Sequence, residues 1–132
     1  MKQNVGYVTF LVPDYDEAIA WFTQTLSFAL IEDVPLGHGK RWVLVAPPAQ
    51  GATRLVLAEP ADERQRARIG DQTGGRVFLF LHTDDFWRDH EAMKAKGVRF
   101  LEPPRHEAYG WVAVFEDVWG NRWDLLQLAD KP

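Results

Sequence analysis

The sequence has no cysteine among its 132 residues. This absence excludes disulfide bonds, thiolate metal ligands and a cysteine nucleophile, and it fits a reducing compartment. Basic residues are in the minority, since 15 Lys and Arg stand against 19 Asp and Glu and the net charge is -4. Phosphate binding needs a basic surface, so we do not expect a nucleic-acid partner.

Long apolar runs are also missing. The longest apolar stretches are far shorter than a bilayer span, so no membrane partner is expected. The N-terminus shows no basic segment followed by a long apolar run, which predicts that there is no signal peptide. We therefore predict a cytoplasmic protein, and the chain length predicts one domain, 1–132, with a sizeable core.

Aromatic residues are plentiful by contrast, with six Trp and eight Phe. They provide core volume and stacking surfaces for flat ligands.

The first half of the chain predicts one strand, one helix and three further strands. Residues 5–12 are rich in β-formers and end at Pro13, which cannot donate to a sheet ladder. Asp14 is placed to cap a helix, with Glu17 three residues later. Apolar residues then recur at helical spacing: Tyr15, Ala18, Ile19, Phe22 and Leu26. Strands are predicted over 28–34, 41–46 and 53–58, separated by turns rich in glycine and proline.

The same order repeats after a charged connector, 61–73, which predicts a solvated linker or a short exposed helix. Strands are predicted over 76–82, 98–101, 111–115 and 122–128. Asp84 or Asp85 would cap the helix, Gly97 would end it, and its inner face would carry Phe86, Ala92 and Met93. Asp14 and Asp85 are offset by 71 residues, and Gly51 and Gly120 by 69. We therefore predict an α+β fold of two βαβββ modules, about 1–60 and 74–130.

The last strand carries the residue of greatest chemical interest. A Gly-Asn step within 117–121 predicts a hairpin turn. The strand that follows alternates Arg122, Asp124 and Leu126 on one face with apolar residues and a glutamine on the other. A carboxylate in mid-strand is a surface charge, a paired buried charge or part of a site, and the pattern leaves these three open.

Several short motifs carry a family resemblance. In the first half they are Val12-Pro13-Asp14-Tyr15-Asp16, Trp21-Phe22 and Leu26-Ser27-Phe28. In the second half they are Thr83-Asp84-Asp85, Lys96-Gly97-Val98 and the run from Phe115 to Asn121. In these motifs, their order and their duplication, the chain resembles the vicinal-oxygen-chelate superfamily of glyoxalase I, bleomycin-resistance proteins and extradiol dioxygenases. Ser27 stands where the family usually has glycine and would be strained if its backbone is left-handed.

The resemblance implies that each module curls into a half-barrel and that paired modules enclose a cleft. Metal enzymes of the family carry His or Glu at four positions in that cleft. Counting from Asp14, Asp85, Gly51 and Gly120 gives Tyr7, Phe78, Leu55 and Asp124 at those positions. Because a catalytic cation typically needs at least three nitrogen or oxygen ligands, we predict no metal and no cofactor. His38, His90 and His106 are expected at the surface or in hydrogen bonds, with His106 in a loop.

The cleft residues are predicted from strand alternation. The candidate ligand-binding residues are Tyr7, Thr9, Leu55, Phe78, Phe80, Arg122 and Asp124, with Leu11, Leu57, His82 and Leu126 on the same side. The alternative is that these residues close a small barrel as core. Asp124 could also pair with Arg122 or Arg41, which would make it structural.

Three functions follow. The favoured one is a metal-independent binder of a small, partly aromatic molecule, as the resemblance to bleomycin-resistance proteins implies. The second is an isomerase or lyase in which Asp124, His82 or Tyr7 acts as general acid or base. The third is a non-catalytic accessory protein in which the dimer surface matters most. A small-molecule ligand and a homodimer are the expected partners, and no arrangement of residues predicts a hydrolase.

Overall fold

Each half of the chain forms a mixed β-sheet with one ten-residue helix. The computed structural model describes residues 1–130 and divides into two compact units, one from Met1 to Ile69 and one that begins at Gly70. The predicted α+β class is confirmed, because two sheets of mixed strand direction occur with a few helices. That both modules form a single domain stays a prediction.

The first unit contains the predicted order of one strand, one helix and three strands. Its elements are β1 (Tyr7–Leu11), α1 (Tyr15–Gln24), β2 (Ala29–Gly37), β3 (Lys40–Ala46), β4 (Arg54–Ala58) and the short α2 (Glu63–Arg66). The strands lie in the order β1-β4-β3-β2, with β1 parallel to β4 and the other neighbours antiparallel. No residue of α2 is buried, so the connector contains the short exposed helix that its charge pattern allowed.

Helix α1 begins where the capping pattern predicted. The Asp14 carboxylate accepts a hydrogen bond from the Glu17 amide at 2.8 Å, which satisfies one of the free N–H groups of the first turn. The helix buries Tyr15, Ala18 and Phe22, and the Phe22 ring lies edge-on to Phe10 of β1 with centroids 5.3 Å apart. The helical apolar face is therefore part of the first core.

Ser27, three residues beyond α1, has a left-handed backbone with φ of 59°. A side chain at such a φ clashes with the backbone, and glycine does not. We expect Ser27→Gly to be about 1 kcal/mol more stable than Ser27→Ala, since only glycine removes the clash and both remove the hydroxyl. Urea unfolding of the two variants measures the difference, and equal midpoints would contradict the assignment of strain.

The second unit repeats this arrangement and adds one strand. Its elements are β5 (Val77–His82), α3 (Phe86–Ala95), β6 (Arg99–Phe100), β7 (Arg105–Glu107), β8 (Gly110–Glu116) and β9 (Arg122–Leu128). The order is β5-β9-β8-β6, with β5 parallel to β9 and with β7 also paired to β8. The prediction of a loop at His106 is wrong. Strand β7 is three polar residues long and has no apolar alternation, so only its pairing with β8 makes it a strand.

Helix α3 begins after Asp85, whose carboxylate accepts a hydrogen bond from the Arg88 amide at 3.2 Å. Its buried residues are Phe86 and Met93, as predicted, but Ala92 is exposed. Gly97 follows the helix with φ of 87°, the left-handed conformation expected of a residue that ends a helix. No helix within residues 1–130 has the length and apolarity to cross a membrane.

The predicted hairpin turn between β8 and β9 is built around a buried carboxylate. Asp117 is 5% exposed, and its Oδ1 accepts hydrogen bonds from the backbone N–H groups of Trp119, Gly120 and Asn121 at 2.9–3.0 Å. Its Oδ2 accepts from Asn121 Nδ2 at 2.9 Å and from Trp123 Nε1 at 3.0 Å. Burial raises the pKa of Asp117, and the hydrogen bonds from Trp123, Asn121 and Trp119 oppose that rise. The side chain thus holds the turn and the first part of β9 together.

Candidate functional site

The strand register of the second sheet places Asp124 on the face away from α3. Asp124 of β9 lies beside Phe80 of β5 and Val114 of β8. Neighbouring partners in a sheet point to the same side, so these three residues share a face, which we call the Asp124 face. Helix α3 covers the other side, where the Phe86 amide donates to Gln127 Oε1 at 2.8 Å.

Among residues 1–130, no side chain or backbone group pairs with the Asp124 carboxylate. Its Oδ1 is buried and makes no hydrogen bond, and within residues 1–130 the side chain forms no ion pair. Burial raises the pKa of Asp124, an effect that the nearby charge of Arg105 opposes and that of Glu102 reinforces. A buried carboxylate oxygen without a hydrogen bond is energetically unfavourable, so a hydrogen bond donated by a ligand would stabilise this site.

Neither arginine considered as a partner reaches Asp124. Arg41 instead holds Asp33 at 2.7 Å and Asp16 at 3.0 Å, both in the first unit. Arg122 is exposed and forms no ion pair among the residues described. The alternative in which Asp124 is a structural partner of one of these arginines is therefore wrong.

Arg105 is the cation whose charge acts on Asp124, but its guanidinium group binds two other carboxylates. Its Nε donates to Glu102 at 2.9 Å and its Nη1 to Glu107 at 2.9 Å. Through the register of β7 with β8, Arg105 lies beside Val112, which lies beside Leu126 on the Asp124 face. Sequence reasoning missed Arg105 because β7 was not predicted.

The other site residues predicted in the second unit lie at different positions relative to Asp124. Phe80 is 56% exposed beside it, and His82 is exposed two residues further along β5, beside Leu126. Arg122 lies two residues before it on the same strand. Phe78 is half-buried at a register shift between β5 and β9, where the alternation of faces is interrupted. The register therefore brings Phe80, His82, Arg122 and Asp124 to one face and does not assign Phe78 to it.

The prediction that Leu55 and Leu57 share a face with Tyr7 and Thr9 is wrong. Leu55 and Leu57 lie beside Val8 and Phe10 and are 5% and 1% exposed. Strand β4 begins three residues after Gly51, whereas β9 begins two residues after Gly120. Counting from the glycines thus slips by one residue, which reverses the face.

The face of the first sheet that carries Tyr7 has other neighbours. Arg54 and Val56 lie beside Tyr7 and Thr9, and Val56 lies beside Leu44 of β3. Trp42, two residues before Leu44, packs edge-on against Tyr7 with ring centroids 5.7 Å apart. Alternation within β3 could have found Trp42, but its position opposite Tyr7 requires the strand order.

The donor set does not fit the divalent cation of the family's metal enzymes. Val56, the third residue of β4, occupies the place that corresponds to Asp124, the third residue of β9, and neither Val56 nor Leu55 has a donor atom in its side chain. No group of three His, Asp or Glu residues in the described part of the chain is arranged to hold a metal ion.

Comparison with known proteins agrees with the fold and the motifs. The family profile described as the Glyoxalase/Bleomycin resistance protein/Dioxygenase superfamily matches residues 4–125. The chain therefore belongs to this superfamily, which confirms the resemblance drawn from its motifs.

Relatives of this chain include both sequences and solved structures. An uncharacterized protein of Shewanella frigidimarina is 52% identical over 132 residues, covering 99% of this chain and 98% of its own. A superfamily member from Sphaerobacter thermophilus is 28% identical, with a TM-score of 0.79 and coverage of 96% and 98%. TnmS3, an antibiotic binding protein from Streptomyces sp. CB03234, is 30% identical, with a TM-score of 0.76 and coverage of 97% and 98%.

Proposed function

We propose that this protein binds a small, partly aromatic molecule without a metal, and that the Asp124 face takes part in binding. The observation that carries the proposal is the buried Oδ1 of Asp124, which has no hydrogen bond. An unsatisfied buried acceptor destabilises the free protein, and a ligand that donates to it removes that cost. The ligand should therefore carry a positive charge or an O–H or N–H donor.

The surroundings of Asp124 favour a ligand with a flat apolar part. The exposed ring of Phe80 lies beside the carboxylate and provides a stacking surface. Val114, which is half-buried and lies beside Asp124, supplies apolar area on the same face. A mostly apolar surface with a few polar groups is the usual composition of a small-molecule site.

The similarity to TnmS3 supports the same class of function. That protein is an antibiotic binding protein, and its chain matches this one almost from end to end. Binding of this type needs shape, stacking and charge but no reacting group, which is compatible with the lack of metal ligands at the corresponding positions of this chain.

A thermal-shift screen tests binding and metal independence together. We expect small aromatic amines or phenols to raise the melting temperature, because a ligand that binds only the native state stabilises it. Matched aromatic hydrocarbons without a donor should have less effect, and Ni²⁺, Zn²⁺, Fe²⁺ and Mn²⁺ should have none. Elemental analysis of the purified protein is the control. One metal ion per chain that survives dialysis would contradict the proposal.

A second candidate function is an isomerase or lyase reaction with Asp124 as general base or acid. The unpaired state of Asp124 and its raised pKa favour this candidate, because a catalytic carboxyl group must be free to exchange a proton. Mass spectrometry and NMR of ligands found in the screen distinguish the two functions. A binder returns each compound unchanged, whereas an enzyme converts it and Asp124→Asn stops the conversion.

We also propose that the protein forms a homodimer. Strand β2 lies at the edge of the first sheet, and its Leu30, Val34 and Leu36 are exposed apolar side chains that a second copy would cover. Sedimentation at micromolar concentration should give about twice the mass of one 15.1 kDa chain. A monomer over a wide concentration range would be contrary to this expectation.

A further inference from the structure

We propose that a pocket on the α3 side of the second unit binds a small aromatic carboxylate, at a site separate from the Asp124 face. The pocket measures about 470 Å³ and lies between the end of α3, strand β6 and residues 101–104. This volume falls within the roughly 300–1,000 Å³ that is usual for small-molecule sites. The residues that define its chemistry are His90, Lys94, Phe100, Glu102, Pro103 and Pro104.

The pocket is on the opposite side of the sheet from Asp124. Phe100 of β6 lies beside Phe115 of β8, and Phe115 stacks on Trp123 at 5.6 Å. Trp123 alternates with Asp124 along β9, so this aromatic group faces α3. The aromatic wall of the pocket and the Asp124 carboxylate therefore lie on opposite faces of the sheet.

Aromatic rings form the apolar wall. The imidazole of His90 lies 4.2 Å from the Phe100 ring and is stacked on Phe86 at 5.6 Å. Both His90 and Phe100 are half-buried, so part of each ring still faces the pocket. A flat ligand would extend this group of rings, and aromatic contacts of this kind add affinity beyond the area that they bury.

The polar groups favour an anion. The His90 ring makes no hydrogen bond to any residue from 1 to 130, and burial with the nearby charge of Lys94 lowers its pKa. A neutral imidazole has one N–H donor to offer a ligand. Lys94 lies one turn further on the same helix face and adds a positive charge. The pocket wall also contains the carboxylate of Glu102. Arg105 binds this carboxylate at 2.9 Å, so Glu102 repels a bound anion only weakly.

The segment over the pocket is held open. The Leu101 amide donates to the Val114 carbonyl at 2.9 Å, and the Glu102–Arg105 ion pair ties the segment to β7. Pro103 and Pro104 between these anchors restrict the backbone, so the segment cannot readily collapse into the pocket. A preformed site of this kind loses little entropy on binding.

An NMR titration of the ¹⁵N-labelled full chain tests the proposal, with phenylacetate as the probe and phenylacetamide as its neutral match. We expect phenylacetate to shift amides of the last turns of α3 and of residues 98–104, saturably and more tightly than phenylacetamide. Lys94→Met should weaken the binding of phenylacetate about fivefold, which corresponds to the loss of one exposed charge pair. It should leave the binding of phenylacetamide unchanged. Lys96→Met, which alters the same helix end but not the pocket lining, should change neither.

His90→Phe keeps a ring in the wall but removes the donor, so it should weaken both probes. The spectrum of this variant must first show the dispersed amide signals of the native fold. If it does not, the proposal is decided by Lys94→Met alone, because Lys94 is exposed and its replacement leaves the core intact. Shifts scattered over the surface, shifts centred on Asp124, or equal losses in Lys94→Met and Lys96→Met would each overturn the site.

Discussion

Replacing Asp117 with alanine is expected to lower the free energy of unfolding by about 3–5 kcal/mol. The carboxylate accepts five hydrogen bonds at 2.9–3.0 Å, two of them from the side chains of Asn121 and Trp123. Both Asn121 and Trp123 are almost completely buried, so their donors would lose their partner without gaining water. Chemical unfolding monitored by circular dichroism measures the loss.

Asp117→Asn separates the two halves of this network. It keeps an oxygen for the backbone N–H groups of the turn but directs an amide N–H₂ at the donors of Asn121 and Trp123. We expect a smaller loss than for alanine, about 2 kcal/mol. Glu91→Ala, at an exposed position of α3, is the control and should stay within about 0.5 kcal/mol of the parent. If Asp117→Ala costs no more than Glu91→Ala, the carboxylate does not organise the turn.

The main elements of this fold could be predicted because their signals are local. Asp14 and Asp85 cap their helices through contacts that span three residues, and apolar spacing marks Phe22 and Phe86 as buried. The hairpin at 117–121 follows from its Gly-Asn step, although the role of Asp117 in it was not predicted. An Asp at the start of a tight turn often bonds to the backbone N–H groups that follow, so this signal was available.

Features that depend on strand pairing could not be predicted. The sheet face on which Leu55 lies depends on a difference of one residue between two turns. Because side chains alternate between the two faces along a strand, a slip of one residue places each of them on the opposite face. Strand β7 has no periodic signal, so the positions of Arg105 and its two glutamates were missed. The state of Asp124 depends on those missing neighbours, which is why sequence alone left it open.

Asp124→Asn should weaken a donor-bearing aromatic ligand by about 10- to 100-fold. A hydrogen bond to a charged group contributes on the order of 1.5–3 kcal/mol, and asparagine keeps the shape but not the charge. Phe80→Ala should weaken the same ligand less, by about 2- to 10-fold, because it removes only the ring beside the carboxylate. Titration calorimetry with a hit from the thermal-shift screen measures both, and Glu91→Ala is again the control.

The same variant should not destabilise the free protein, which separates a binding role from a structural one. Burial raises the pKa of Asp124, so folding favours its protonated form and the charged carboxylate costs stability. The parent therefore loses stability relative to Asp124→Asn as the pH rises from the ordinary Asp pKa through the raised one. Melting temperatures at about pH 4 and about pH 7 should show the variant gaining on the parent at the higher pH. A variant that binds normally but melts lower at neutral pH would mean that Asp124 stabilises the sheet and does not bind the ligand.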